Sequence, residues 1–325
     1  MASDALWDMS ATVWRAKIHS EREDLRDDNL RDAAREYCRR AGVVGVGWGR
    51  PYMSASNGAP LEEVLDEIYS KAGWKAGGDT VRRLAEDAAE GDLVWTRDST
   101  GAYWLGQING PWRFDASDAA TRWDLNNVRP CVWLDESFRD YEVPGAVVRS
   151  FTGRTSSFSR VDPGHQGGWR VTEMIWEQAT DPTAERPQLD PVEMISELLD
   201  PTDAEDIALL FLQAQGWLLL PSSRMHDTPL YEAALRHQED GRLAVVAVKS
   251  GGSNPVPVES VVKSVQKEDA EVFVFSTHNL YDGVPEDLGA TRITNEQLAS
   301  FMAERPEILP PRITRWIEPE AKSAR

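Results

Sequence analysis

Residues 92–114 read DLVWTRDSTGAYWLGQINGPWRF, and this stretch decides the fold of the first half of the chain. Its apolar runs at 92–97, 102–109 and 112–114 predict three short strands. The polar turns DSTG and NGP divide the runs, as expected where strands fold back on their neighbours. Short strands at this spacing are typical of a small, curved, barrel-like sheet.

The same pattern analysis extends outward from this stretch. Apolar segments predict strands at 12–18, 43–48 and 128–134, and amphipathic segments predict helices at 22–40, 61–71 and 80–90. Further along, the patterns predict helices at 192–199, 203–215, 258–266 and 295–303, and strands at 217–220, 230–235, 243–248 and 271–276. Thr202 and Glu205 form a capping-box pattern. The first half is therefore predicted as α+β and the second as an α/β layer.

Tryptophan usage changes along the chain. Nine of the thirteen tryptophans fall within the first 133 residues. A stretch rich in Ser, Thr, Gly and Arg follows at 149–168, and three prolines lie within 180–191. Such segments are typical of linkers. The sequence predicts a first domain at 1–148, a linker at 149–190 and a second domain at 191–325.

Composition bounds the class of protein. The chain has 325 residues, 41% of them apolar, which suffices for packed cores and is too many for a disordered chain. It has no apolar run near the roughly 20 residues of a membrane span, no signal peptide, and two cysteines without metal spacing. We expect a cytoplasmic protein without a membrane partner. Because the formal net charge is −19, any DNA contact must come from a local basic patch.

The second half carries an ordered series of chemically useful residues. Glu205 lies on a predicted helix, Asp227 precedes a predicted strand, Glu232 lies within that strand, and Lys249 ends the next one. Metal-dependent phosphodiester cleavage uses carboxylates to hold a divalent cation and a lysine to orient water or stabilise developing charge. This order of residues therefore favours such chemistry.

Three segments in this half carry a family resemblance: DAED at 203–206, DTPLYE at 227–232 and VVAVKSG at 245–251. In this order they resemble the Mrr-like branch of the PD-(D/E)xK nuclease fold, over residues 190–300. The resemblance implies a restriction-endonuclease-like domain that cleaves DNA with Mg²⁺. It implies that Asp227 and Glu232 are the metal ligands, and that the catalytic residues are Glu205, Asp227, Glu232 and Lys249.

One position departs from the family pattern. The family places Glu or Gln two residues before the lysine, and this chain has Ala247 there. Two interpretations follow, an intact metal site that cleaves DNA and a degenerate domain that only binds it. Simpler explanations also stand, because Glu205 suits a helix cap and Lys249 suits a solvated strand end.

The first half carries a second series of motifs. VWRAK at 13–17, GVVGVGWG at 42–49, GDLVWTR at 91–97 and YWLGQI at 103–108 follow one another. Together they resemble the EVE-like, PUA-related domain that precedes Mrr-type domains in modification-dependent, type IV-like restriction proteins. The resemblance covers residues 10–135.

This resemblance implies a pocket for one flipped-out base of double-stranded DNA, with methylated cytosine as the expected modification and no cofactor for binding. Aromatic rings restore about 1–3 kcal/mol of stacking per base, and basic side chains hold the phosphates. For the base we expect Trp14, Ser20, Trp48, Asn57, Trp95, Tyr103 and Trp104. For the phosphates we expect Arg15, Lys17, Arg22, Arg50, Arg82, Arg83 and Arg97.

A different class of function stays open at this point. Many tryptophans of a small barrel pack in its core, and an aromatic cluster can also form a Tudor-like cage for a methylated peptide. Trp112, Arg113, Phe114 and Trp123 suit such a cage in an interaction module without a DNA role. The sequence also leaves both a monomer and a homodimer open.

Overall fold

The computed structural model describes residues 11–18, 23–25, 27–48, 53–71, 75–152, 156–161, 167–181, 183, 190–225 and 230–315. The chain divides into two compact units. The first comprises Met1–Val143, Val147–Pro163 and Trp169–Ala184, and the second comprises Pro144–Ala146, Gly164–Gly168 and Glu185–Arg325. Each unit thus gathers segments that are separate in sequence.

The first unit is built on a curled sheet with helices. Its strands are β1 (Val13–Ala16), β2 (Val43–Val46), β3 (Leu93–Arg97), β4 (Tyr103–Ile108), β5 (Arg113–Phe114), β6 (Asn127–Trp133) and β7 (Phe158–Arg160). The helices along the same part of the chain are α1 (Asp28–Ala41), α2 (Leu61–Ser70), α3 (Lys75–Arg82), α4 (Asp118–Arg122), α5 (Gly145–Thr152) and α6 (Gly167–Thr180). A π-helical turn, Arg83–Asp87, continues α3.

Within the described residues, the seven strands of this unit form one mixed sheet in the order β2-β6-β4-β3-β1-β7, with β5 also paired to β6. The first half of β6 pairs with β2 and its second half with β4, and the sheet curls into a half-barrel. This confirms the predicted curved sheet with helices. Strands β1 and β3 are parallel, with Val13 opposite Leu93, so both strands end at the same edge of the sheet.

The stretch quoted first forms the centre of this sheet. Strands β3 and β4 make an antiparallel hairpin in which Arg97 lies opposite Tyr103. Asp98 closes the turn, because its carboxylate accepts the backbone N–H groups of Thr100 and Ala102 at 3.0 Å each. The apolar core of the unit includes Trp14, Val44, Ile68, Val94 and Phe114.

The segment 149–190, predicted as a linker, differs in the structure. It contains the second half of α5, the strand β7 and all of α6. Strand β7 pairs antiparallel with β1, with Ser159 opposite Arg15. Phe158 is fully buried and its ring stacks on Trp14 at a centroid distance of 4.7 Å. A three-residue strand inside a Ser- and Gly-rich stretch has too few apolar residues to be recognised by its pattern.

The second unit is an α/β layer, as predicted. Its helices are α7 (Pro191–Glu197), α8 (Pro201–Ala214), α9 (Val258–Val265), α10 (Asn295–Glu304) and α11 (Pro311–Thr314). Its strands are β8 (Trp217–Leu219), β9 (Ala233–His237), β10 (Leu243–Lys249), β11 (Glu271–Ser276) and β12 (Thr291–Ile293). The sheet order is β12-β11-β10-β9-β8, with β8, β9 and β10 antiparallel and β10, β11 and β12 parallel.

Two local predictions in this unit were wrong in detail. Asp200, and not Thr202, is the N-cap of α8, because its carboxylate accepts the backbone N–H groups of Thr202 and Asp203. The strand predicted at 230–235 begins at Ala233, so Glu232 lies immediately before it. In the part of the chain that the structure describes, no helix combines the length and apolarity that crossing a bilayer requires.

Candidate functional site

A cavity of about 300 Å³ lies in the first unit, and its lining is mostly cationic. The residues that line it are Lys17, Arg31, Arg35, Arg97, Asp98 and Phe151. Four cations against one carboxylate give the lining a formal charge of +3, in a chain whose formal charge is −19. We call this cavity the cationic pocket. It is the kind of local basic patch that the acidic composition requires of any phosphate-binding protein.

The fold brings the pocket residues together from distant parts of the chain. Lys17 directly follows β1 and Arg97 ends β3, and the parallel pairing of these strands places both residues at one edge of the sheet. Arg31 and Arg35 lie on α1 four residues apart, and therefore on the same face of the helix. Phe151 comes from the last turn of α5.

Acidic neighbours hold the two α1 arginines in position. Arg31 Nη1 lies 3.3 Å from Asp28, and Arg35 pairs with Asp32. Asp32 also accepts hydrogen bonds from the backbone N–H and the hydroxyl of Ser99, in the β3–β4 turn. Burial acts to raise the pKa of Asp32, but hydrogen bonds from Ser99 and Arg35 outweigh it and hold this pKa below its ordinary value. Arg35 is therefore anchored to the turn next to Arg97.

The single carboxylate of the lining is already engaged. One oxygen of Asp98 closes the turn described above, and the other accepts the indole N–H of Trp104 at 3.2 Å. The Trp104 ring is in turn covered by Arg39, whose guanidinium carbon lies 3.4 Å from the ring centroid. Asp98 is thus held by its own loop and by Trp104.

Three of the arginines that line the pocket each have a buried donor without a partner. Among the described residues, the Nε atoms of Arg31, Arg35 and Arg97 are buried without a hydrogen-bond acceptor. A buried N–H group without an acceptor costs about 1–3 kcal/mol, so native proteins rarely leave one unpaired.

Arg15 places a further positive charge behind the lining. Its side chain is 1% exposed, and its guanidinium carbon lies 5.8 Å from the centroid of the Phe151 ring. Nη2 donates to the Ser159 hydroxyl, while Nε and Nη1 have no acceptor within the described part of the chain. Burial lowers the pKa of Arg15 to about 10. Burial, and next the charge of Arg15, lower the pKa of Lys17. Both shifts mark a desolvated positive region.

An aromatic pair lies under these cations. Phe151 and Tyr103 meet edge to face at 5.5 Å, and the Arg97 guanidinium carbon lies 5.4 Å from the Tyr103 ring centroid. Tyr103 is 1% exposed, and burial raises the pKa of its hydroxyl. Tyr103 therefore supports the pocket from beneath, and Phe151 is the ring that reaches the cavity.

Two of the predicted base-binding indoles lie in the interior instead. Trp14 is fully buried, stacks on Phe158 and donates its indole N–H to Asp92 at 2.7 Å. Trp95 is also fully buried and donates to the hydroxyl of Thr172 at 3.1 Å. Both rings have packing partners and satisfied N–H groups, so the structure assigns them to the core and not to a base-sized slot.

Trp48 and Asn57, two further residues predicted to bind the base, do not line the cationic pocket. Trp48 is half-buried with a left-handed backbone (φ 68°), and a Cβ at Gly77 would come within 2.3 Å of its ring. Only a glycine fits beneath that ring. Asn57 is exposed and accepts the backbone N–H of Ala116 at 3.0 Å. Ser20 lies outside the described residues.

The predicted phosphate-binding residues divide into three groups. Lys17 and Arg97 line the cationic pocket, with Arg15 behind it. Arg82 pairs with Glu86 and Arg83 donates to Ser156, and neither lines this cavity. Outside the described residues lie Arg22 and Arg50. Sequence analysis did not identify the other lining residues. The pair of arginines at i and i+4 on α1 is the sequence signal that could have identified two of them. The missed residues are Arg31, Arg35, Asp98 and Phe151.

The second unit brings two of its predicted residues together. Lys249 Nζ lies 3.2 Å from Glu232 Oε1, and the backbone N–H of Val248 donates to Glu232 Oε2 at 3.0 Å. The antiparallel pairing of β9 and β10 dictates this contact, since the Glu232 backbone N–H donates to Val246. Burial raises the pKa of Glu232, against the opposing effect of the Lys249 charge.

The remaining predicted nuclease residues are placed differently. Glu205 pairs with Arg224 at 3.2 Å, and Asp227 lies outside the described residues. Ala247 is fully buried in an apolar cluster. In the described ranges, no group of three or more His, Cys, Asp or Glu side chains is placed to hold a metal ion.

Comparison with known proteins gives one partial match. A family model described as "Domain of unknown function (DUF8426)" matches residues 25–155. The matched segment runs from before α1 to beyond α5, and it contains every lining residue of the cationic pocket except Lys17. The comparisons with curated proteins and with solved structures gave no match.

Proposed function

We propose that this protein binds DNA through its first unit, and that the cationic pocket receives one nucleotide displaced from the duplex. The pocket itself is the observation that carries the proposal, because it gathers four cations in a strongly acidic chain. Phosphate binding at such a cluster releases counterions from DNA and is favourable even when the net charge is negative. The volume of about 300 Å³ is at the small end of ligand pockets, which suits a single nucleotide.

The base of that nucleotide would lie against Phe151. Its ring borders the cavity and is fixed by the edge-to-face contact with Tyr103. A fixed aromatic ring contributes stacking energy to a base removed from the duplex. The finer part of the proposal, recognition of a modified base such as methylated cytosine, is supported by the motif resemblance of the first half.

The same geometry disfavours the Tudor-like alternative. A cage for a methylated ammonium group needs open aromatic faces, whereas the cationic pocket would repel such a ligand. Of the residues that suited a cage, Phe114 is fully buried and Trp112 and Trp123 pack partly buried against the core. A methylated peptide is therefore the weaker candidate for this unit.

Magnesium-dependent cleavage is not part of the proposed function. Both Glu232 oxygens are engaged by the second unit itself, by Lys249 and by the Val248 backbone. Ala247 offers no oxygen ligand, and the described residues hold no acidic cluster of the size that a divalent cation needs. Glu232, Lys249 and Ala247 do not form a Mg²⁺ site by themselves, and Asp227 lies outside the described residues. The proposal gives the second unit the binding-only role.

The test measures affinity for matched methylated and unmethylated duplexes by fluorescence anisotropy, over a series of salt concentrations. Arg35→Gln removes one phosphate contact, so it should weaken binding and reduce the salt slope by about 0.9. Arg40→Gln is the matched control, because Arg40 lies on the same helix, is 80% exposed and pairs with Glu36 outside the pocket. It should change both quantities much less.

Each part of the proposal has its own contrary result. Equal effects of the two substitutions would remove the pocket from the proposed function. Affinity that does not fall with rising salt would exclude DNA phosphates as the ligand. Equal affinity for methylated and unmethylated duplexes would overturn modified-base recognition and leave general DNA binding.

A further inference from the structure

Arg97 is the cation of the pocket that lies beside its aromatic pair. The guanidinium carbon of Arg97 is 5.4 Å from the centroid of the Tyr103 ring, and that ring meets Phe151 edge to face at 5.5 Å. Arg97 and Phe151 both line the cavity. A base that stacks on Phe151 would therefore have Arg97 close to its edge.

The two arginines of α1 are placed differently from Arg97. Arg31 and Arg35 pair with acidic residues of their own helix, and cations on a helix face suit phosphates, which carry no base sequence. Arg97 ends β3, directly before the turn that the Asp98 carboxylate closes. A side chain on such a fixed hairpin can meet a base edge with defined geometry.

The hydrogen-bonding groups of the lining are mostly donors. Lysine and arginine side chains carry N–H donors and no acceptor, whatever else they contact. Among the described lining residues, Asp98 has the one side-chain acceptor group, and its oxygens already accept from its own turn and from Trp104. Asp140, a further carboxylate near Tyr103, is not among these lining residues. The lining therefore favours a base edge that presents acceptors.

The four DNA bases differ in the acceptors of their major-groove edges. Guanine presents two adjacent acceptors there, N7 and O6, and one arginine can donate to both. Adenine combines the N7 acceptor with an amino donor, cytosine presents an amino donor, and thymine presents the single acceptor O4. The Nε of Arg97 is buried, so a contact of this kind uses its terminal nitrogens, Nη1 and Nη2. Guanine is therefore the base that best matches Arg97.

We propose that Arg97 selects guanine as the base of the displaced nucleotide, by donating to O6 and N7 while the base stacks on Phe151. This inference rests on the proposed function, because it needs the cationic pocket to receive a nucleotide, and it adds the identity of the base. The lining favours guanine, whereas the motif resemblance of the first half favours methylated cytosine. The experiment compares these two bases directly.

The test measures the affinity of the full chain for five DNA duplexes by fluorescence anisotropy at low salt. Each duplex carries one test nucleotide opposite an abasic site, so that no base pair has to be broken. The test bases are guanine, hypoxanthine, 7-deazaguanine, adenine and 5-methylcytosine. Hypoxanthine keeps O6 and N7 and should bind as tightly as guanine. The other three bases each lack one or both of these acceptors, and each should bind about tenfold more weakly.

Substitutions of Arg97 show whether this side chain reads the base. Arg97→Lys keeps the positive charge and the donors, so it should keep the preference for guanine over adenine. Arg97→Gln provides an amide that matches the N7 and amino group of adenine, so the ratio of guanine to adenine affinity should fall from about tenfold to about one or below. Arg40→Gln is again the control and should leave this ratio unchanged. Thermal unfolding verifies that each variant is folded.

The outcomes separate this inference from the proposed function. Equal affinity for guanine and adenine overturns the inference, as does an Arg97→Gln variant that binds all five duplexes more weakly by one common factor. Tighter binding of 5-methylcytosine than of guanine also overturns it, and leaves the proposed function with the base that the motifs imply. The proposed function fails by a different sign, namely that Arg35→Gln weakens binding of every duplex no more than Arg40→Gln does.

Discussion

Each unit contains a buried arginine, and the pKa values of the two arginines shift in opposite directions. In the second unit Arg312 is 8% exposed, and its guanidinium donates to Asp203 and Asp206 at 2.5 Å each. Burial acts to lower the pKa of Arg312, but these carboxylates outweigh it and raise the pKa. In the first unit Arg15 is 1% exposed, and among the described residues its partner is the Ser159 hydroxyl and not a carboxylate; burial lowers its pKa to about 10.

The difference separates a buried charge that has carboxylate partners from one whose described partner is a neutral hydroxyl. A buried charge with complete partners holds its elements together, and its removal leaves the partners uncompensated. A buried charge without a counterion costs stability in the free protein, and such costs concentrate at binding sites. Arg312 belongs to the first kind and Arg15 to the second.

The largest expected loss of stability follows from removing Arg312, the buried arginine that has carboxylate partners. Arg312→Met leaves Asp203 buried without its cation, so it should lower the free energy of unfolding by about 3–5 kcal/mol. Urea unfolding followed by circular dichroism measures the loss. Arg305→Met is the control, since Arg305 is half-exposed and pairs only with Glu307, and it should cost no more than about 0.5 kcal/mol. Similar losses in both variants would contradict the structural role of Arg312.

A smaller effect is expected at the intermediate case, the partly buried pair of Lys249 and Glu232. Lys249→Met should cost about 1–2 kcal/mol at pH 7, because Glu232 then keeps its burial without its cation. Glu232 already has a raised pKa in the folded state, and losing Lys249 raises it further. An acid with a raised folded pKa binds its proton more readily when folded, so the variant regains stability as the pH falls. The loss should be smaller at pH 5 than at pH 7, and a loss that grows on acidification would contradict this account.

The smallest expected change in the free energy of unfolding is at Arg15. Unlike at Arg312, no loss of stability is expected there. Arg15→Met removes a desolvated charge without a carboxylate partner, so the free energy of unfolding should stay the same or rise by up to about 1 kcal/mol. Affinity for DNA should fall in the same variant, because Arg15 adds positive charge behind the proposed phosphate site. Thermal unfolding with and without ligand measures both. A loss of stability as large as that of Arg312→Met would show that Arg15 is structural.

Much of the fold could be predicted from the sequence, because its signals are local. The β3–β4 hairpin, helix α1 and helix α8 follow directly from alternating or helical apolar patterns. What could not be predicted depends on pairing between distant residues. Strand β7 is recognisable only through its contact with β1, and the N-cap of α8 is decided by hydrogen bonds that Asp200 makes and Thr202 does not.

The candidate site was predictable only in part for the same reason. Lys17 and Arg97 were among the basic residues expected to hold phosphates, and the structure places both on the pocket. The aromatic signal pointed elsewhere, because a sequence does not show which tryptophans find buried partners. The acceptors of Trp14 and Trp95 are Asp92 and Thr172, which lie far away along the chain.

The pairing of β1 with β7 has a consequence for translation. The first strand leaves the ribosome long before its edge partner, and Ser159, which accepts from Arg15, is synthesised almost last in the unit. Phe151, a wall of the cavity, is also synthesised late. The cationic pocket is therefore complete only after α5 and β7 have left the ribosome, when most of the unit has already been synthesised.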